Sequence, residues 1–144
     1  MPDQNYGNHR QYVPIFHYFL IPVLFLTVIG SIVNLVESWG VHQRIYSASL
    51  IVVLSVSSFL MLFLLRIFAL KAQDRAIRAE ESLRHFAITG KLPDARLTIR
   101  QVVALRFASD VEFVALAQRA AAENLTSDAI KNAIKTWRPD TYRV

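Results

Sequence analysis

Hydrophobic positions fall into two long unbroken runs, and beyond them they recur only at helical spacing. The first run, FHYFLIPVLFLTVIGSIVNLV, goes from Phe16 to Val36. The second, SASLIVVLSVSSFLMLFLL, goes from Ser47 to Leu65 and is closed by Arg66. A helix of about 20 apolar residues crosses about 30 Å of hydrocarbon, so each run predicts a transmembrane helix. The first run does not have the form of a secretory signal. Its start is polar with Arg10 as the only cation, and Asn34-Leu35-Val36-Glu37 is a poor cleavage site. The connection ESWGVHQRIY is short, so the two helices are expected to form an antiparallel hairpin. Tyr12 and Tyr18 on one side, and Trp39 and Tyr46 on the other, suit the two interfacial aromatic belts.

Close packing and hydrogen bonds must hold such a hairpin, because burial from water contributes little between helices in lipid. Thr27, Gly30, Ser31 and Asn34 share one face of the first span. Ala48, Ser55 and Ser58 share one face of the second. These faces are expected to meet, with Thr27 near Ser55 and Asn34 near Ser47 to Ser49. Pro22 cannot donate to the carbonyl of Tyr18 and is expected to kink the first span. The ionisable residues nearest the spans, His17, Glu37 and Arg66, all stand at the edges, where an interfacial position explains them better than an ion path.

The stretch LFLLRIFALKAQDRAIRAEESLRHF, from Leu62 to Phe86, contains neither glycine nor proline. It predicts one helix that leaves the membrane and continues into water. Ala69, Ala72, Ala76, Ala79, Leu83 and Phe86 are spaced alternately by three and four residues, the a/d pattern of a coiled-coil seam. Traced backwards, the same spacing passes through Leu65, Leu62, Ser58, Ser55, Ile51 and Ala48. Asp74 with Arg78, and Glu80 with Arg84, are four apart and suit helical ion pairs. Two readings compete: an amphipathic helix lying on the membrane surface, and a stalk that self-associates or docks on a partner. The stalk is favoured. Gly90 and Pro93 then end the helix.

The tail carries two capping-box patterns, Thr98 with Gln101 and Ser109 with Glu112, and a third start at Thr126 or Ser127. Three short helices are expected, near 99–108, 110–123 and 127–138, the last stopped by Pro139. A unit of this size is marginal alone, so it should pack on the exit helix through Leu83 and Phe86, on the bilayer, or on a neighbouring subunit.

Charge sets the orientation. Fourteen of the sixteen Lys and Arg, and nine of the eleven acids, lie in 66–144. Arg66, Lys71, Arg75 and Arg78 follow the second span and suit anionic headgroups, whereas the loop has only Arg44. By the positive-inside rule, both termini face the cytoplasm. There is no cysteine, which excludes disulfides, thiolate zinc, iron–sulfur clusters and covalent c-type haem. No zinc spacing among the histidines, no phosphate loop and no nucleophile motif appears. No catalytic residue, metal or cofactor is expected, and the chain is not read as an enzyme. From Pro93 onward, eight Lys and Arg stand against six acids, too even a balance to favour nucleic acid.

The segments QNYGNHRQYVPIFHYFL, ALKAQDRAIRAEESLRHFAITGKL, LTIRQVVALRFASDVEF and DAIKNAIKTWRPDTYRV together resemble a bacterial family of small two-span membrane proteins classed as a domain of unknown function. The resemblance covers nearly the whole chain. It implies the layout and supplies no activity. The expected architecture is an all-α membrane protein. It has an N-terminal segment (1–14), a first span (15–36), an outer loop (37–46), a second span (47–66) and its extension (67–89). A linker (90–97), a three-helix cap (98–138) and a tail (139–144) follow. The expected role is a structural or interaction subunit of the bacterial inner membrane, in contact with lipid, either homo-oligomeric or accessory to a larger complex through its small-residue seam. The alternatives are an oligomeric channel or transporter, and a membrane-tethered signalling or nucleic-acid adaptor.

Overall fold

The computed structural model describes residues 4–9 and 12–140. Residues 1–3, 10 and 11 of the expected N-terminal segment, and 141–144 of the expected tail, lie outside the described residues. Among those described, the fold is all-α: α1 (Ile21–Glu37), α2 (His42–Thr89), α3 (Ile99–Leu105), α4 (Asp110–Glu123) and α5 (Ser127–Ala133). A π-helical turn, Ile15–Leu20, leads into α1. The chain divides into two compact units, residues 12–69 and residues 1–11 with 70–144.

In the first unit, two helices are long and apolar enough to cross a membrane, the one from Ile15 to Glu37 and α2 itself. Pro22 sits in the first turn of α1. Proline has no N–H to give to the turn before it, and the turn before it is the wide π form, in which the Ile21 N–H reaches back to the Phe16 carbonyl. The disturbance expected at Pro22 is therefore a widened turn. The connection is tighter than expected, because α2 already begins at His42. Gly40, at φ +89°, makes the reversal, a conformation that strains any residue with a Cβ.

The hairpin register differs from the one expected. Ser31, not Thr27, meets Ser55, with the two hydroxyl oxygens 2.9 Å apart and buried. Phe25 and Phe59 pack with ring centroids 6.2 Å apart, and the Arg66 guanidinium lies 5.5 Å from the Phe16 ring centroid. Ser31, Ser38, Ala48, Ser55 and Leu62 are the buried positions of this unit. Thr27, Gly30 and Asn34 are exposed. At 100° per residue, the packed face of α1 is turned by about 70° from the face of small residues. Thr27 needs no partner helix, because its hydroxyl donates to the Val23 carbonyl of its own turn at 2.8 Å. A Cβ on Gly30 would meet nothing within 4 Å, so that glycine is not a site of close helix approach. Ser58 is only half-buried and donates to the Leu54 carbonyl.

The second unit is built around a conventional apolar core. Phe107, Leu105 and Ile130 are its largest fully buried side chains, joined by Val102, Phe113, Leu116, Ile134 and several alanines. Thr98 caps α3 in a complete capping box with Gln101. Gln101 is itself buried, and its amide donates to the Leu125 carbonyl at 2.9 Å, tying α3 to the end of α4. Asn124 ends α4 at φ 48°, one of the few side chains that tolerate the left-handed region. Thr126 caps α5 by accepting the Ala129 N–H.

Two expectations for this unit are corrected. The last helix stops at Ala133 rather than at Pro139, because Ile134 is extended. Trp137 then pairs with Ala108 as an isolated bridge, and the Arg138 N–H reaches the Phe107 carbonyl at 2.7 Å. The extended path lets both Ile134 and Trp137 pack against the core. The Ser109–Glu112 pattern does not close a capping box. The Ser109 side chain caps nothing, and its hydroxyl donates to Glu112. The Glu112 carboxylate accepts the N–H groups of Thr136 and Lys135 at 3.0 and 3.1 Å. Partial burial raises the Glu112 pKa, but these N–H groups outweigh it and hold the carboxyl below its ordinary value.

Candidate functional site

The C-terminal half of α2 is where the sequence placed most of its candidate residues. The second unit uses this half as its wall, and the two sides of the helix have different roles.

One side is occupied. Ile77, Glu81 and His85, spaced by four, are buried, as helical periodicity requires of a packed stripe. Arg84 is the hub. Its Nε donates to Asp110 at 2.7 Å, one terminal nitrogen donates to Glu81 at 2.9 Å, and the other donates to the Ala108 carbonyl at 2.7 Å. The guanidinium also lies 4.3 Å from the centre of the Phe113 ring, a cation–π contact. Glu81 meets Arg138 at 3.7 Å as well. His85 packs edge-on against Phe113 and lies 2.8 Å from the Lys91 carbonyl through Nδ1. The Gly90 N–H closes the helix on the Phe86 carbonyl with φ +71° at the glycine, as the sequence predicted.

Glu80, Glu81, Arg84, Asp110 and Arg138 line a shallow cleft of about 370 Å³. Arg84 pairs with Glu81 and Asp110, and Arg138 with Glu81. Among the described residues, no group of three or more His, Cys, Asp or Glu is placed to hold a metal. The arrangement fastens the cap to α2.

The other side is exposed among the described residues. Ala72, Ala76, Ala79, Leu83 and Phe86 are all exposed, with Leu83 at 68% and Phe86 at 50%. This corrects the expectation that Leu83 and Phe86 dock the cap: Ile77, Glu81, Arg84 and His85 do so. The predicted Glu80–Arg84 pair is likewise replaced by Glu81–Arg84, because Arg84 turns toward Asp110. Ala69 is half-buried, and Lys71, Arg75 and Arg78 are exposed.

The basic residues of the cap do not converge. Arg96 pairs with Asp94 at 2.7 Å, and Arg106 pairs with Asp140 at 2.8 Å. The hydrogen bond from Arg96 holds the exposed Asp94 carboxyl down at about 2.

An N-terminal strap was not expected. His9 packs on Phe107 and Trp137 with ring centroids 5.8 and 6.0 Å away. The Lys131 ammonium lies 3.3 Å from its Nε2. Gln4 accepts the Asp140 N–H at 2.7 Å. Residues 4–9 thus belong to the same unit as the cap. A polar stretch of six residues has no periodicity to announce such a role.

No curated protein and no solved structure matches the chain. A family model described as "Family of unknown function (DUF6526)" matches residues 1–144, and with a match across its whole length the chain belongs to that family.

Proposed function

We propose that this protein is a non-enzymatic structural or interaction subunit of a membrane, anchored by a two-helix hairpin and assembling through the exposed side of α2. The observation that carries this reading is the double use of one helix. The 48 residues of α2 begin as sequence that only lipid suits and end as the wall of a water-soluble cap. The opposite side of that wall keeps Leu83 and Phe86 exposed.

The exposure of the apolar spans supports insertion. Ile29, Val33, Val53, Leu54, Leu60 and Leu64 are each 44% or more exposed, which in water would leave a patch far larger than soluble proteins tolerate. The strap supports an even number of crossings, because residues 4–9 pack on a unit formed from residues beyond the second span. With the basic excess after that span, both ends face the cytoplasm of a bacterial cell, and the turn at Gly40 faces out. Arg66 and Lys71 then stand at headgroup level.

Native mass spectrometry of the particle extracted in mild detergent tests the reading. A discrete homo-oligomer, or co-purification within one larger complex, is the expected result. A bare monomer contradicts it.

A further inference from the structure

We propose that the occupant of the exposed side of α2 is a second copy of this chain, packed in parallel, with Arg75 of each copy paired to Glu80 of the other. The proposal rests on the assembly reading above and names its partner and register.

Two observations lead to it. The first is position. At 100° per residue, the stripe of Ala72, Ala76, Ala79, Leu83 and Phe86 lies roughly opposite Ile77, Glu81, Arg84 and His85. The cap is thereby kept clear of the stripe, and two helices can meet along it with a cap on each outer flank. The second is charge. In a parallel pair, the residue preceding one seam position faces the residue five further on in the partner. Taking Ala76 and Ala79 as successive seam positions, this sets Arg75 against Glu80, and symmetry makes the pair twice. Both side chains belong to exposed residues. An antiparallel pair would lose this match, and copies inserted the same way into one membrane can meet only in parallel.

The apolar area of Leu83 and Phe86 is modest. Tethering of both copies in one membrane raises their effective concentration and makes a modest seam sufficient.

The chain has no cysteine, so single-cysteine variants of the full-length protein report the seam directly. Ala76→Cys and Ala79→Cys, oxidised in native membranes, should each give a disulfide-linked dimer. Ile88→Cys, on the cap side, should not. Arg75→Glu in the Ala79→Cys background should lower the yield severalfold, and Glu80→Arg should do the same. Co-expressing the two charge variants should restore the yield in mixed dimers, since each then meets an opposite charge. A loss of yield caused by misfolding would not be rescued in this way.

Homo-oligomers that fail to cross-link at either alanine would overturn the seam while leaving the assembly reading intact. Cross-linking at Ile88→Cys equal to that at the alanines would also overturn it. A monomeric particle would sink both ideas together.

Discussion

The two units solve the same problem of helix packing with opposite distributions of residues. In 12–69, large apolar side chains point outward, and serines, an alanine and a leucine occupy the contact. In 70–140, phenylalanine, leucine and isoleucine fill the inside, and polar groups stitch the elements together at the edges. The polar groups also behave differently. Thr27, Ser47, Ser49 and Ser58 bond to carbonyls of their own helix, and Ser31 and Ser55 do so as well as meeting each other. Gln101, Arg84 and Glu112 each bond across to a different element. A hydroxyl in hydrocarbon has no water to return to and is satisfied locally, whereas in water a cross-element bond adds stability only when buried or charge-assisted. With the first unit inserted in lipid, as proposed, the difference between the units is the difference between their solvents.

The contrast is broken most severely by emptying the cap core. Phe107→Ala should destabilise the second unit by about 3–5 kcal/mol. Loss of the ordered Trp137 signal in near-ultraviolet circular dichroism would follow it, and an unchanged spectrum and unfolding midpoint would show that the core is not where stability lies. Next comes the fastening of the cap. Arg84→Met removes charge-assisted bonds to Asp110, Glu81 and the Ala108 carbonyl, at a cost of about 2–3 kcal/mol. Hydrogen exchange should then rise in α4 and at the end of α2, with no change in α1.

A smaller effect comes from Glu112. Its folded-state carboxyl sits below the ordinary value of 4.5. Its contribution is therefore present in full above that pH and lost as pH falls through the lowered value. Glu112→Gln should cost about 1–2 kcal/mol at neutral pH. It should also flatten the decline in the cap's melting temperature below pH 4.5. An identical acid profile in the variant would remove Glu112 from the account. The smallest effect belongs to the hairpin. Ser55→Ala breaks the bond to Ser31, and such bonds between membrane helices average about 0.6 kcal/mol. The shift in detergent unfolding should be barely resolved. A loss of several kcal/mol would mean that polar contacts, not packing, hold the spans.

Periodicity made the elements legible and left their contacts obscure. The two apolar runs, the unbroken α2, its stop at Gly90 and the starts at Thr98 and Thr126 all follow from local chemistry that a single sequence displays. The hairpin register did not, because Thr27, Gly30 and Asn34 look like a packing face, yet a hydroxyl satisfied by its own turn gives no reason to face a partner. The cap contact was misread for a related reason. Leu83 and Phe86 are large apolar residues of the last turns of α2, but the side that docks is chosen by Arg84 and Glu81, whose partners Asp110 and Arg138 are 26 and 57 residues away by number. Glu112 shows how a correct motif can serve another end: its carboxylate finds two unpaired N–H groups where α5 breaks. The strap carries no local signal, since its meaning depends on a Phe107–Trp137 surface that exists only after folding.

The most direct measurement is the labelling of two single-cysteine variants in intact cells with a membrane-impermeant maleimide. Val41 is 45% exposed in the hairpin turn, and Leu92 is 72% exposed beside the cap. The account predicts that Val41→Cys is labelled from outside and that Leu92→Cys is labelled only after permeabilisation. Equal labelling of both in intact cells, or of neither until permeabilisation, would contradict a hairpin that crosses the membrane twice.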